Sequence, residues 1–368
     1  MKNIVLLFVV WMVVVNVFAL IAVNRFNLEP DNAYFWINPD AVHQEQGWDI
    51  LSLHAKWDSF WYIDIAEHGY YLRKDDALVN IVFFPLYPML IAIGSFILLG
   101  NYVLAGWLLS SLFLFLALWY FYKLVKEFHP DIDPHLPLAL LLIFPTAFFL
   151  NAVYTESLFL FPSIAALYHL KKKEFLKASL FGFLASATRV TGVLLVFPLA
   201  MEYLQGKKFR IREFISIRAF SVFVPVLGIG LFFLYHAVAF HDPILFFRVE
   251  DAWGRAFIPN LDHFALATNA AAVNLLLDVL FFGIAVVSTV LVSRKFGKVY
   301  GSYMAATLLV AAATGTLMSI GRYILVLFPM YIFVASLSSA YIRYVWMFIS
   351  VLLFALITIL FVNNYWAG

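Results

Sequence analysis

The stretch HAKWDSFWYIDIAEHGYY, His54 to Tyr71, sets Asp58, Asp64, Glu67 and His68 among Trp57, Phe60, Trp61 and Tyr62. Ionisable groups at the rim of a bilayer are costly to hold unless they pair or work. A carboxylate placed there could take a proton from a substrate hydroxyl at the water–lipid boundary. If Lys56 to His68 is helical, Asp58 and Asp64 point about 120° away from each other and cannot both aim at one atom. Asp64, Glu67 and His68 share a face through their i, i+3, i+4 spacing. One group would then act while the others hold position. The ordinary alternative is an amphipathic interfacial helix with a solvated charged side.

Four later places carry matching parts. Glu156, in YTES, falls in a turn between two apolar runs, where a carboxylate is also favoured by a helix N-terminus. Arg189, in ASATRVTG, is a lone cation between two short apolar runs; such an arginine either faces an anion or cavity or snorkels to the headgroups. Arg322, in SIGRYILVLFP, opens an apolar run, where its fork could grip a phosphate bidentately or serve as an interface anchor. Arg248, Trp253 and Arg255, in HDPILFFRVEDAWGR, could hold a polar headgroup or could simply be solvated.

The elements that must position these groups are membrane helices. Of the 368 residues 64% are hydrophobic and 12% charged, with mean hydropathy +0.91. Soluble domains carry about 25% charged residues, so this is an all-α polytopic membrane protein. Aromatic residues reach 19%, which suits interface belts. A net charge of +2 and the lack of a basic groove interleaved with aromatics point away from nucleic acid. There are no cysteines, which excludes disulfides, zinc thiolates and cysteine nucleophiles. No Walker loop, HExxH or dinucleotide fingerprint is present. Met1 to Val23 lacks a small-residue cleavage site and reads as a retained first helix.

Twelve apolar runs follow one another, and the basic turns orient them. Lys171 to Lys177, Lys207 to Arg218 and Arg294 to Lys298 belong in the cytoplasm by the positive-inside rule. Counting back from Lys171, the run Ile81–Leu99 cannot be a simple crossing. It should lie on the outer face or dip into it, as its prolines and Gly94 favour. Eleven transmembrane helices remain, with the amino terminus inside and the carboxyl terminus outside. Sixteen Lys and Arg then fall inside and eight outside. The short pair Leu176–Thr188 and Val190–Leu204 is the weakest step, because it could be one long helix. Two large external loops result, 24–101 with juxtamembrane helices and 241–270. The chain reads as a single membrane domain, 1–368, without visible repeats.

WDSFWYIDIAEHGY, FFPLYP, NAVYTES, ATRVTG, HDPILFFRVEDAWGR and SIGRYILVLFP, in that order, resemble the PIG-V family, the second mannosyltransferase of GPI-anchor synthesis and its prokaryotic relatives. The resemblance runs from about Trp57 to Pro329. It implies the GT-C superfamily of membrane glycosyltransferases, a polyprenyl-phosphate sugar donor, a lipid or glycan acceptor and inversion at the sugar carbon. It makes Asp58 the expected base, supported by Trp57, Asp64, Glu67, His68 and Glu156. Arg322 and Arg189 are then the expected phosphate ligands, and Arg248, Trp253 and Arg255 the acceptor loop. No cofactor and no metal are expected if arginines stabilise the leaving phosphate. Residence in the plasma membrane of a prokaryote, or the endoplasmic reticulum of a eukaryote, would follow.

Two rival classes stand beside this one: a lipid or sugar transporter, and a non-enzymatic assembly subunit. Transporters place polar groups near the midplane and show internal repeats. Here most acids lie in the external loops, and Asp278 is the clearest charge within a span.

Overall fold

The structure is a computed structural model that describes residues 2–26, 50–72, 79–206, 217–252, 269–313 and 317–367. Every regular element among them is a helix. Among the described residues, four helices are long and apolar enough to cross a membrane: α1 (Lys2–Arg25), α4 (Tyr102–Phe128), the Asn274–Phe296 part of α12 (Asn269–Phe296) and α16 (Ala340–Val362). At 1.5 Å per residue each covers the roughly 30 Å of hydrocarbon with little to spare or some tilt. Asn101 caps α4 by accepting the Leu104 N–H at 2.9 Å, which fixes where that span begins.

In chain order the remaining helices are α2 (Ser59–His68), α3 (Leu86–Ile97), α5 (His135–Leu142), α6 (Glu156–Lys171), α7 (Phe175–Thr188), α8 (Val196–Gly206), α9 (Ile217–Ser221), α10 (Val224–Ala239), α11 (Leu245–Ala252), α13 (Lys298–Ala313), α14 (Ile320–Leu325) and α15 (Pro329–Ala335). α3 is about 18 Å long at the standard rise, one of several apolar helices shorter than a full crossing.

Several apolar runs are not continuous helices, contrary to expectation. Leu136–Leu150 breaks after Leu142 and resumes as a 3-10 turn at Ala147–Leu150. Tyr323–Leu337 breaks before Pro329, which lacks an N–H and so sits at the first turn of a new helix. Hydropathy registers apolar surroundings, and a buried broken segment has those as fully as a regular span does.

α6 is the centre of the bundle. It packs between α4 and α7, and most of its residues are buried around its whole circumference. That explains a sequence with no polar stripe, since a helix apolar all round is a buried one. The short pair resolves into two segments. α7 ends at Thr188, Arg189 is extended (φ −151°, ψ 149°), and a 3-10 turn Val190–Leu195 folds back against α7. Gly192 permits the reversal: a Cβ there would lie 2.2 Å from the Ala185 carbonyl carbon. A side chain cannot occupy that place without moving backbone.

Candidate functional site

Three helix starts and one helix end meet at one end of the bundle. Asp58 caps α2, Glu156 opens α6, Arg189 follows α7, and Arg322 lies in α14. The Arg322 Nε donates to Glu156 Oε1 at 2.8 Å, and its Nη1 donates to Asp58 Oδ2 at 2.7 Å. Arg189 Nη1 donates to the same Glu156 oxygen at 2.9 Å. The four groups form a chain, Asp58–Arg322–Glu156–Arg189, of two anions and two cations. Their side chains are 14%, 7%, 0% and 13% exposed in that order. Charges this buried are tolerated only when paired and hydrogen-bonded, and removing one member strands its neighbour.

Aromatic rings complete the pairing. The Arg322 guanidinium lies 4.7 Å from the Tyr154 ring centre and 5.1 Å from that of Phe149. That of Arg189 lies 5.2 Å from Tyr323 and 5.8 Å from Phe159. Delocalised guanidinium groups suit such stacking and a desolvated site better than ammonium groups do. Arg322 is therefore not an interface anchor turned to the headgroups: its guanidinium points into the protein.

Asp58 is aimed by its local backbone. Trp57 adopts φ +52°, a left-handed conformation uncommon for a bulky side chain. The Asp58 N–H donates to Tyr154 Oη at 3.2 Å, and Tyr154 in turn donates to the Lys56 carbonyl at 3.1 Å. One turn later Tyr62 Oη lies 3.4 Å from Thr155 Oγ1. The start of α2 is thus locked onto the YTES segment that carries Glu156. Only Oδ2 of Asp58 is engaged; Oδ1 makes no hydrogen bond among the described residues. On the other side, Ser319 takes φ +66° just before α14, and Gly321 lets that short helix meet Thr146. Thr146 Oγ1 donates to the Gly321 carbonyl at 2.9 Å, and a Cβ on Gly321 would come within 2.8 Å of the Thr146 methyl. Strained backbone on both sides of an ion pair is where functional strain is usually held.

The remaining expected residues separate from this cluster. The helix starts at Ser59, not Lys56. Asp64 accepts from Tyr71 Oη at 2.8 Å and Asn80 Nδ2 at 2.9 Å, and faces His68 Nδ1 at 3.2 Å. It pins the end of α2 to the segment that leads into α3 and shares no partner with Asp58. The 120° offset between the two acids explains the division. Glu67 and His68 are exposed, so the expected support from them does not reach the pair. Arg248, in α11, is exposed and pairs with Asp242 at 2.9 Å. Trp253 and Arg255 lie outside the described residues.

Residues that sequence reasoning passed over stand close by. Phe149, Phe361 and Trp366 line a narrow recess together with Trp57, Tyr154 and Arg322. Tyr365 and Trp366 do follow the last apolar run, on the side to which the loops assign Asp58 and Arg322. That position was the available signal.

The family described as mannosyltransferase (PIG-V) matches residues 2–209, more than half of the chain. No curated protein matches it. The family match and the apolar helices make this a membrane glycosyltransferase, and the chain belongs to the PIG-V mannosyltransferase family. The matched region contains Asp58, Glu156 and Arg189, while Arg322 lies beyond it. Membership favours transfer of a sugar over transport or a purely structural role.

Proposed function

We propose that this protein transfers mannose from a polyprenyl-phosphate donor to a hydroxyl of a lipid, glycolipid or glycan acceptor, with inversion, at the outer or lumenal face of its membrane. Asp58 is the base. Its Oδ2 is held by Arg322, and Oδ1 is turned to the acceptor hydroxyl. The acceptor oxygen attacks the anomeric carbon, the bond from that carbon to the phosphate oxygen breaks, and the phosphate leaves with the electron pair. The acceptor proton passes to Asp58. Arg322 and Arg189 offset charge on the departing phosphate with nitrogens not committed to the carboxylates. Trp57 and Glu156 position this machinery, while Asp64 and His68 brace the loop behind it. The transition state is oxocarbenium-like, so a nearby carboxylate also stabilises it. No metal is required in this reading.

The observation that carries the proposal is the buried Asp58–Arg322–Glu156–Arg189 chain, assembled from four segments of a mannosyltransferase-family protein. The architecture proposed with it is of the GT-C type with eleven spans, in which all four segments face outward and α3 rests on the outer surface. The membrane would be the plasma membrane in a prokaryote and the endoplasmic reticulum in a eukaryote.

The test is sugar transfer by the purified protein, given polyprenyl-phosphate mannose and a panel of lipid and glycan acceptors. Product with inverted anomeric configuration, formed equally in EDTA, is expected. Transfer from nucleotide sugars with none from the lipid-linked donor would overturn the reading.

A further inference from the structure

The segment after α16 turns back onto the site. Asn364 takes a left-handed conformation, φ +63°. The Asn364 N–H bonds to the Phe361 carbonyl at 3.1 Å and the Tyr365 N–H to the Leu360 carbonyl at 2.9 Å. This pair of bonds is the Schellman helix ending, for which Asn is the usual residue after Gly. The reversal brings Tyr365 and Trp366 to the residue that precedes the base. Trp57 Nε1 donates to the Tyr365 carbonyl at 3.1 Å, across 308 residues of chain, and the Trp57 and Trp366 rings meet edge to face at 5.1 Å. Trp366 is half-buried, and it walls the narrow recess with Trp57, Phe149, Phe361, Tyr154 and Arg322.

A recess with aromatic walls and a guanidinium bound to a carboxylate has a defined chemistry. Flat rings cover the C–H faces of a pyranose, and the charged pair hydrogen-bonds its hydroxyls. A prenyl chain would use the walls but leave the charged pair without a partner. We propose that Trp366 forms the wall of a pyranose subsite beside Asp58, and that the Asn363–Ala367 segment swings outward from Trp57 to admit the sugar. This rests on the transferase reading for its choice of sugar, but not for the existence of the subsite. The Trp57–Tyr365 hydrogen bond and the ring contact form the latch.

The chain has no cysteine, so Ala367→Cys supplies a single reporter at the rim of the recess while leaving Trp366 in place. The rate of its modification by a soluble maleimide is measured in detergent with methyl α-mannopyranoside, methyl α-glucopyranoside or a short prenyl phosphate without sugar. The mannoside should slow the reaction. In the Ala367→Cys/Trp366→Ala protein, protection should need about tenfold more mannoside or more, whereas Trp366→Phe should retain most of it. Absence of protection, protection unchanged by Trp366→Ala, or equal protection by the prenyl phosphate would each overturn the proposal. Equal protection by glucoside and mannoside, lost in Trp366→Ala, would uphold the pyranose wall while removing its support for mannose as the sugar. Comparable yield and thermal midpoint of the Trp366→Ala and Trp366→Phe proteins separate loss of binding from loss of fold.

Discussion

Arg322 and Asp58, 264 residues apart in sequence, are joined by a 2.7 Å hydrogen bond that engages only one oxygen of the carboxylate. The same guanidinium reaches Glu156 through Nε, so a single side chain fixes the spacing between two acids. Asp58→Asn preserves size and can still accept from Arg322, but it cannot take a proton. Turnover should drop by about 10²-fold or more, with folded yield close to wild type. Retention of near wild-type turnover would remove Asp58 from the role of base.

Arg322→Lys should behave unlike a conservative change. An ammonium is a point charge and cannot bridge Asp58 and Glu156 from one position as the planar fork does. The expected result is a partial loss of kcat for Lys and a severe loss for Ala. Ala should also cost stability, because removing one partner of a buried pair costs about 3–5 kcal/mol. Kinetics on equal amounts of folded protein, with thermal midpoints, check both. Full activity in the Lys variant would mean that the bridge is dispensable.

Glu156 and Arg189 should prove coupled. Glu156→Gln removes the anion between Arg189 and Arg322 and leaves Asp58 to balance both cations, and Arg189→Gln relieves part of that excess. The double variant should therefore lose less stability than the two single variants combined, by about 1–3 kcal/mol. A thermal-unfolding cycle measures it, and strict additivity would show that the 2.9 Å contact carries no energy.

His54 should make the protein acid-sensitive. Its ring is fully buried, stacked on Trp107 at 4.6 Å and on Phe148 at 6.2 Å. Burial lowers its pKa from 6.5 to about 3, against a smaller opposing effect of the Asn151 backbone. Below pH 6.5 the unfolded chain takes up a proton that the folded chain refuses, so stability is lost as pH falls from 6.5 toward 3. The slope is at most ~1.4 kcal/mol per pH unit. His54→Phe keeps the ring stack and should flatten the decline of thermal midpoint between pH 7 and pH 4. An unaltered decline would assign acid sensitivity to other groups.

Both ends of α3 should face the same side of the membrane. Leu72 and Leu99 are exposed and flank the helix on either side. Single cysteines there should react with an impermeant thiol reagent from one side only. Reaction from opposite sides would make the α3 region a crossing and shift every later span.

Much of this protein is legible from residue order alone. The succession of apolar runs and the low share of charged residues dictate membrane helices, and the basic turns assign Asp58, Glu156, Arg189 and Arg322 to one side. Each of the four is conspicuous as a charge in apolar surroundings, where an unpaired ion is too costly to persist. Sequence could not say which charge meets which. The pairings join segments up to 264 residues apart, and α6 decides them by the way it packs between α4 and α7. Sequence set Asp58 and Asp64 on different sides of a helix, and the resemblance favoured Asp58 as base, but neither could say what holds each acid. Both acids lie in one aromatic-rich stretch, and only the folded chain shows one held by an arginine and the other by Tyr71 and Asn80. The breaks at Leu142 and before Pro329 were hidden for a related reason. Hydropathy measures the solvent a residue would avoid, not whether its backbone completes a helix. The return of Trp366 to Trp57 depended on tertiary structure entirely, since an aromatic residue after a span reads as an ordinary interface anchor until the chain is seen to turn back.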